Sequence, residues 1–266
     1  MKVLFSDFDG TLFEDNKPRS LEDIHWIEEM HKDGHMMIIC TGRSLKELEI
    51  AMKDYPIPFD YAVLNNGGHI INERYETLYE KTIDRQAGID ILNLTTSQQG
   101  IWSFFCEDER TYGYKDGITI DHATDDKAID DNFFELYQNA KHFQIISFHQ
   151  EDLGLDKILY CLDEIKKNYG HQVEAYLNTK FVDVVPKGCS KGGGVQKMIS
   201  LLNEDIEAIY AIGDSFNDIS MIEIADYGYT FVHADEKVKE KTHLHVNYVY
   251  EVIQDMLGRK EYELEE

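Results

Sequence analysis

Positive charge is scarce in this 266-residue chain: 26 Lys and Arg stand against 51 Asp and Glu, a formal net charge of −25 with histidine neutral. Contacts to nucleic-acid phosphates and anionic membrane surfaces need cationic side chains, so neither polyanion is expected as a partner. Cysteine is sparse as well. Cys40, Cys106, Cys161 and Cys189 lie far apart with no Cys-x-x-Cys and no Cys/His ligand spacing, which speaks against a disulfide framework and a zinc site and fits a reducing cytoplasm. No apolar run approaches the roughly 18 residues of a membrane span, and the first, starting at Met1, is broken at Asp7 too early for a signal peptide. The expected location is cytoplasmic. Apolar residues make up 42% and aromatics 12%, whereas a disordered chain of this charge would hold far fewer. A folded chain follows, with room for one large domain or two smaller ones.

Two strand–loop–helix cycles open the chain. Val3 to Phe8 reads as a strand followed by a turn at Gly10 and a helix headed by Ser20; Met36 to Cys40 reads as a fully apolar strand followed by Thr41-Gly42-Arg43 and a helix capped by Ser44. Tyr61 to Leu64 gives a third strand. The same style returns late, with a helix from Ser190 to about Leu202, a strand Ala208 to Ile212, an exit loop Gly213 to Asp218, a strand Tyr229 to Val232 and a closing helix Val249 to Leu257. Such alternation predicts a parallel sheet whose site lies at the carboxyl ends of its strands. From about Ile83 to Val182 the pattern changes to helices interleaved with amphipathic strands, an inserted α+β module. The expected fold class is therefore α/β, a Rossmann-like parallel-sheet core over residues 1–82 and 183–266 with an inserted α+β cap over 83–182. The Glu-rich tail Lys260 to Glu266 reads as a solvated end.

Acidic side chains cluster where the strands end. Asp7 and Asp9 flank Phe8, and a strand's period of two places both carboxylates on one side. Counted from Asp7, a helix-loop-helix calcium loop would want Gly and Glu where Leu12 and Pro18 stand, so that reading fails. Asp214-Ser215-Phe216-Asn217-Asp218 follows another apolar strand, so its acids are expected at the same sheet edge. Carboxylates gathered there repel one another unless a cation sits among them, and all-oxygen ligation suits a hard ion such as Mg²⁺. Lys191 falls in the first turn of a helix, where a cation opposes the helix dipole and is better explained as facing an anion. Thr41-Gly42-Arg43 ahead of a helix start offers a seat for phosphoryl oxygens.

Asp-Phe-Asp-Gly-Thr at 7–11, Thr-Gly-Arg at 41–43, Ser-Lys-Gly at 190–192 and Gly-Asp-x-x-Asn-Asp at 213–218 together resemble, in order, the four motifs of the haloacid dehalogenase superfamily, in its Cof-like phosphatase subfamily. The resemblance spans nearly the whole chain. It implies Asp7 as nucleophile, Asp9 as general acid and base, Lys191 as charge balance, Thr41, Gly42 and Asn217 as contacts to the transferring phosphate, and Mg²⁺ held by Asp7, Asp9 and Asp214. Lys187 is a rival for Lys191, but the lysine of the pattern stands between Ser and Gly. His233, His243 and His245 have no third ligand nearby and read as surface residues.

The implied activity is Mg²⁺-dependent hydrolysis of small phosphorylated metabolites, sugar phosphates or similar, through an aspartyl-phosphate. A phosphomutase or phosphotransferase would use the same core and hand the phosphate to another hydroxyl. A non-catalytic phospho-ligand-binding protein has no use for a nucleophile and an acid two residues apart.

Overall fold

Val3, Leu4 and Phe5 have no exposed surface. A run with no polar alternation is what a strand covered on both faces requires. In the computed structural model, which describes residues 1–122, 127–150, 154–178 and 181–258, that run is the centre of a parallel sheet; the tail read as a solvated end lies outside the described residues.

The chain begins with β1 (Lys2–Asp7), a small hairpin of β2 (Phe13–Glu14) and β3 (Lys17–Pro18), α1 (Leu21–Lys32), β4 (Met36–Cys40), α2 (Leu45–Ala51), β5 (Tyr61–Leu64), β6 (His69–Asn72) and β7 (Thr77–Glu80). The inserted stretch holds α3 (Arg85–Thr96), β8 (Ile101–Glu107), β9 (Arg110–Lys115), β10 (Ile118–Asp121), β11 (Lys127–Ile129), α4 (Phe133–Asn139), β12 (Ile145–Gln150), α5 (Asp156–Tyr169), β13 (Val173–Asn178) and β14 (Phe181–Pro186). The chain then returns through α6 (Lys191–Leu201), β15 (Ala208–Ile212), α7 (Ile219–Ile222), β16 (Tyr227–Phe231), α8 (Glu236–Lys239), β17 (Leu244–Val246) and α9 (Val249–Met256).

The first sheet has the order β17-β16-β15-β1-β4-β5-β6-β7. It is parallel from β17 to β5, and the two antiparallel edge strands β6 and β7 are additions that the sequence reading did not contain. From β1 the chain steps outward to β4 and β5 on one side, and later to β16 and β17 on the other, so the order reverses at β1 and a crevice opens at its carboxyl end. Ile27 of α1 and Val252 and Ile253 of α9 pack with Leu4, Met37 and Ile212 on one face. Val195 and Met198 of α6 pack with Val3, Phe5 and Ala211 on the other.

The second sheet is antiparallel, β11-β10-β9-β8-β12-β14-β13. Phe105, Ile146, Phe148, Val182 and Val184 turn one of its faces onto α3, α4 and α5. Trp102, Phe104, Ser147, His149 and Phe181 alternate with these and form the other face, away from the helices. Among the described residues no helix is long and apolar enough to cross a membrane.

Glu109 and Gln144 tie the modules together away from the chain crossings. Glu109, in the β8–β9 turn, accepts a hydrogen bond from Leu45 N at 2.9 Å with one carboxylate oxygen, while its other oxygen lies 3.1 Å from His69 Nδ1. Gln144 donates to Glu109 at 2.7 Å and to Glu80 at 2.6 Å. The inserted module therefore contributes to the start of α2, the helix that follows Thr41-Gly42-Arg43.

One core position carries a pH dependence. Asp23 of α1 is 1% exposed; its Oδ1 accepts Tyr250 N at 2.8 Å and its Oδ2 has no partner among the described residues. Burial pushes its carboxyl up to about 7. A folded-state value above the unfolded one means that Asp23 supports stability below pH 4 and withdraws that support as the pH rises toward 7. Stability in denaturant titrations is expected to increase by up to about 1 kcal/mol per unit as pH falls from 7 to 5. Asp23→Asn should lessen that slope, to which Asp7, Asp183 and Asp214 also contribute; an unchanged slope would refute the assignment.

Candidate active site

Four connections meet above the crevice: the turn after β1, Thr41-Gly42-Arg43 after β4, Asn65-Asn66-Gly67 after β5, and Gly213 to Asp218 after β15. Gly10 makes the close approach of two of them possible. It sits at φ +79°, and a Cβ there would come within 2.8 Å of Asp214 Oδ2.

Lys191 is the buried centre of the cluster. Its Nζ donates to Asp7 Oδ1 and to Asp218 Oδ1, both at 2.5 Å. Ser190 precedes it as the N-cap of α6, accepting Gly193 N at 2.9 Å, so the lysine is fixed on the first helical residue. Burial works against its charge, yet Asp218 and Asp7 overcome this and its pKa is raised. It stays protonated, which is the role of charge balance implied for it. Lys187 is elsewhere, paired with Glu174 at 2.9 Å.

Asp7, Asp214 and Asp218 each offer an oxygen within 4.8 Å of the others. Burial, followed by the charge of Asp218, raises Asp7 to about 7; burial and then Asp7 raise Asp214 to about 6. Both values are those of acids short of positive charge. Asp218 differs, because its second oxygen already accepts Asp214 N at 3.1 Å and Ser215 N at 2.9 Å. Its capacity is used in closing the loop and pinning Lys191, leaving Asp7 and Asp214 as the side chains suited to a hard divalent cation.

The Asp9 carboxylate does not join them. It forms a fork with Arg43, Nε to Oδ2 at 2.8 Å and Nη2 to Oδ1 at 2.7 Å, and is half exposed. The strand ends at Asp7, so the period-two rule that put both acids on one side stops applying one residue before Asp9. The expected third carboxylate ligand is thus replaced in the acid cluster by Asp218.

Asp7, Asp9, Thr41, Gly42, Lys191 and Asn217 nevertheless line one cavity of about 490 Å³, together with Arg43 and Glu47 of the core and His122, Phe181 and Asp183 of the inserted module. Thr41 Oγ1 accepts Arg43 N at 3.1 Å, and a Cβ on Gly42 would stand 3.2 Å from Asn66 Nδ2. Asn217 Oδ1 is buried without a partner among the described residues. Asn66, read from the sequence only as part of the turn ending the third strand, is held at φ +49° and donates to Asp183 at 2.9 Å, so a strained core loop reads the inserted module directly. Asp183 is pushed up to about 6 by burial. A left-handed Asn-Asn-Gly at a strand end was the available signal for Asn66. Nothing local marks Asp183.

Of the three histidines read as surface residues, His233 is near Arg19 and His245 faces the Thr242 carbonyl. Among the described residues neither these nor His243 joins a group of three metal-ligating side chains.

A buried acid–lysine–acid cluster at the order reversal of a parallel sheet, roofed by an α+β insert, defines a capped α/β protein with its site at the strand ends. The chain belongs to the haloacid dehalogenase-like hydrolase family, whose model matches residues 4–251. It is 25% identical, over 91% of each chain, to the 5-amino-6-(5-phospho-D-ribitylamino)uracil phosphatase YwtE of Bacillus subtilis. In fold it is similar to a subclass IIB sugar phosphatase of that superfamily (TM-score 0.77, 21% identity, 97% of this chain and 100% of the other). It is similar too to a haloacid dehalogenase-like hydrolase from B. subtilis (TM-score 0.78, 21% identity, 96% and 99%).

Proposed function

We propose that this protein is a Mg²⁺-dependent phosphatase that hydrolyses small phosphorylated metabolites through an aspartyl-phosphate on Asp7. The observation that carries this reading is the Lys191 ammonium locked against Asp7 on the floor of a cavity whose other walls include Thr41, Gly42 and Asn217. The relatives' names, phosphatases of a ribitylaminouracil phosphate and of sugar phosphates, point the same way. In this reading residues 1–82 and 187–266 carry the chemistry and 83–186 form the cap, because β14 pairs throughout with cap strands β12 and β13 and the expected boundary at 182 falls inside it. The four cysteines are free and buried, which supports a cytoplasmic setting.

A cation held by Asp7 and Asp214 would supply the positive charge that lets a phosphate dianion approach a carboxylate and keeps Asp7 ionised. Asp7 attacks phosphorus, forming an acyl–phosphate bond as the bond from phosphorus to the alcohol oxygen breaks. Lys191 offsets the charge gathered in this step. Asp9, swung from its fork with Arg43, gives a proton to the departing alkoxide. It then takes one from a water that attacks phosphorus, releasing inorganic phosphate and restoring Asp7. Arg43 is the positioning residue, setting where the Asp9 carboxylate starts from.

Release of inorganic phosphate from a panel of phosphorylated metabolites is expected to cease with excess chelator and return with Mg²⁺. Asp214→Ala should raise the Mg²⁺ concentration for half-maximal activity by about tenfold or more. Full activity in excess chelator defeats the metal part of the reading.

A further inference from the structure

We infer, resting on the phosphatase reading above, that the substrate is the phosphomonoester of an alcohol bearing a planar heteroaromatic ring, and that this ring is seated on an aromatic platform on the open face of the cap sheet.

The platform begins with register. His149 of β12 stands opposite Trp102 of β8, and Ser147 opposite Phe104, so the two aromatic residues of β8 and the histidine project from one face. Their rings are nearly parallel: Phe104 is 5.8 Å from Trp102 at 19° and 5.8 Å from His149 at 10°. Phe181, 44% exposed on β14, brings its ring within 4.3 Å of His149. Phe104 stands opposite Gly113 of β9, and a Cβ there would lie 2.5 Å from the Phe104 ring. Only glycine lets that ring lie down against the sheet. Lys115 Nζ lies over the Trp102 ring, 5.5 Å from its centroid, and fixes the indole by a cation–π contact.

The face bounds a cavity of about 450 Å³ that shares Glu47, His122 and Phe181 with the catalytic cavity. A molecule with its phosphate at Asp7 therefore passes these three residues and reaches the rings. A flat π-system gains stacking there, worth about 1–3 kcal/mol for a base on an aromatic side chain. Trp102, Phe104 and Phe181 give this cavity an apolar aromatic floor, and Thr111 and Ser147 supply polar atoms beside it for the edge of a ring. The buried Thr111 hydroxyl lines the same cavity and suits a ring nitrogen or carbonyl.

The test compares kcat/KM of the full chain for pyridoxine 5′-phosphate and flavin mononucleotide with that for glucose 6-phosphate, using acetyl phosphate as a ring-less reference. At least one aromatic ester is expected to exceed glucose 6-phosphate by about tenfold, and Trp102→Ala should lower the ratio of aromatic ester to acetyl phosphate by about tenfold, with Trp102→Phe restoring part of it. A preference for glucose 6-phosphate, or a ratio untouched by Trp102→Ala, overturns the inference. Hydrolysis of none of the four compounds overturns the phosphatase reading instead. Binding then decides the ring site separately: Trp102 is one of two tryptophans, so in Trp26→Phe/Asp7→Asn protein its fluorescence should be quenched saturably by pyridoxine 5′-phosphate and left unchanged by glucose 6-phosphate. Absence of quenching overturns the site.

Discussion

Asp7→Asn is expected to lower turnover by about 10⁴-fold or more while the protein stays folded, the loss typical of removing a covalent nucleophile. The amide keeps the shape of the carboxylate and its oxygen can still accept from Lys191, which remains paired with Asp218 at 2.5 Å. It has no negative oxygen with which to attack phosphorus. Stability moves little or rises at neutral pH. Burial and Asp218 hold the Asp7 carboxyl at about 7, above its ordinary value, so its charged form is disfavoured in the fold above that pH and asparagine avoids the penalty. Phosphate release and the thermal midpoint measure the two halves, and acid quenching of wild type during turnover should trap label on Asp7. Wild-type-like turnover by the variant removes the covalent route.

The second large effect belongs to Lys191. Lys191→Met leaves Asp7 and Asp218 buried with no cation between them, and breaking such an ion pair from one side costs about 3–5 kcal/mol. Activity should be lost as well, because the charge that offsets the phosphate goes with the ammonium. The stability deficit should shrink as pH falls below 7, since both acids have raised pKa values and protonation removes the repulsion. Adding Asp7→Asn to Lys191→Met should recover part of the loss, a non-additivity that a double-mutant cycle in denaturant would read. An unchanged unfolding midpoint in Lys191→Met sinks this account.

The elements that could be read in advance are those whose causes are local. Val3 to Phe5 and Met36 to Cys40 lack alternation because a central parallel strand is buried on both faces. Ser44 is followed three residues later by Glu47, and the two close a capping box as helix starts of that composition do. Asp7 ends β1, Lys191 opens α6 and Asp214 follows β15 by two residues, so each could be placed from a neighbouring element. The Asp9 carboxylate lies apart from the acid cluster because strand alternation ends at Asp7, although Asp9 lines the same cavity. Asp218 stands in the quoted motif, yet its work depends on Lys191 arriving from 27 residues earlier. The pairing of Asn66 with Asp183 spans 117 residues and has no local signature. In the cap, β9 to β11 escaped notice because polar residues and Gly113 interrupt their alternation, and Gly113 is there for the ring of Phe104.

Glu109 bears on how freely these modules can be recombined. The first turn of α2 lacks intrahelical acceptors, as every helix start does, and one of its N–H groups, that of Leu45, is satisfied by a carboxylate from the other module. The core sequence is therefore one acceptor short of self-sufficiency at the helix following Thr41-Gly42-Arg43. A foreign roof grafted between β7 and α6 would have to bring an acid to this place, or the transplanted core would carry a loosened 41–43 loop whatever the quality of the graft's own fold.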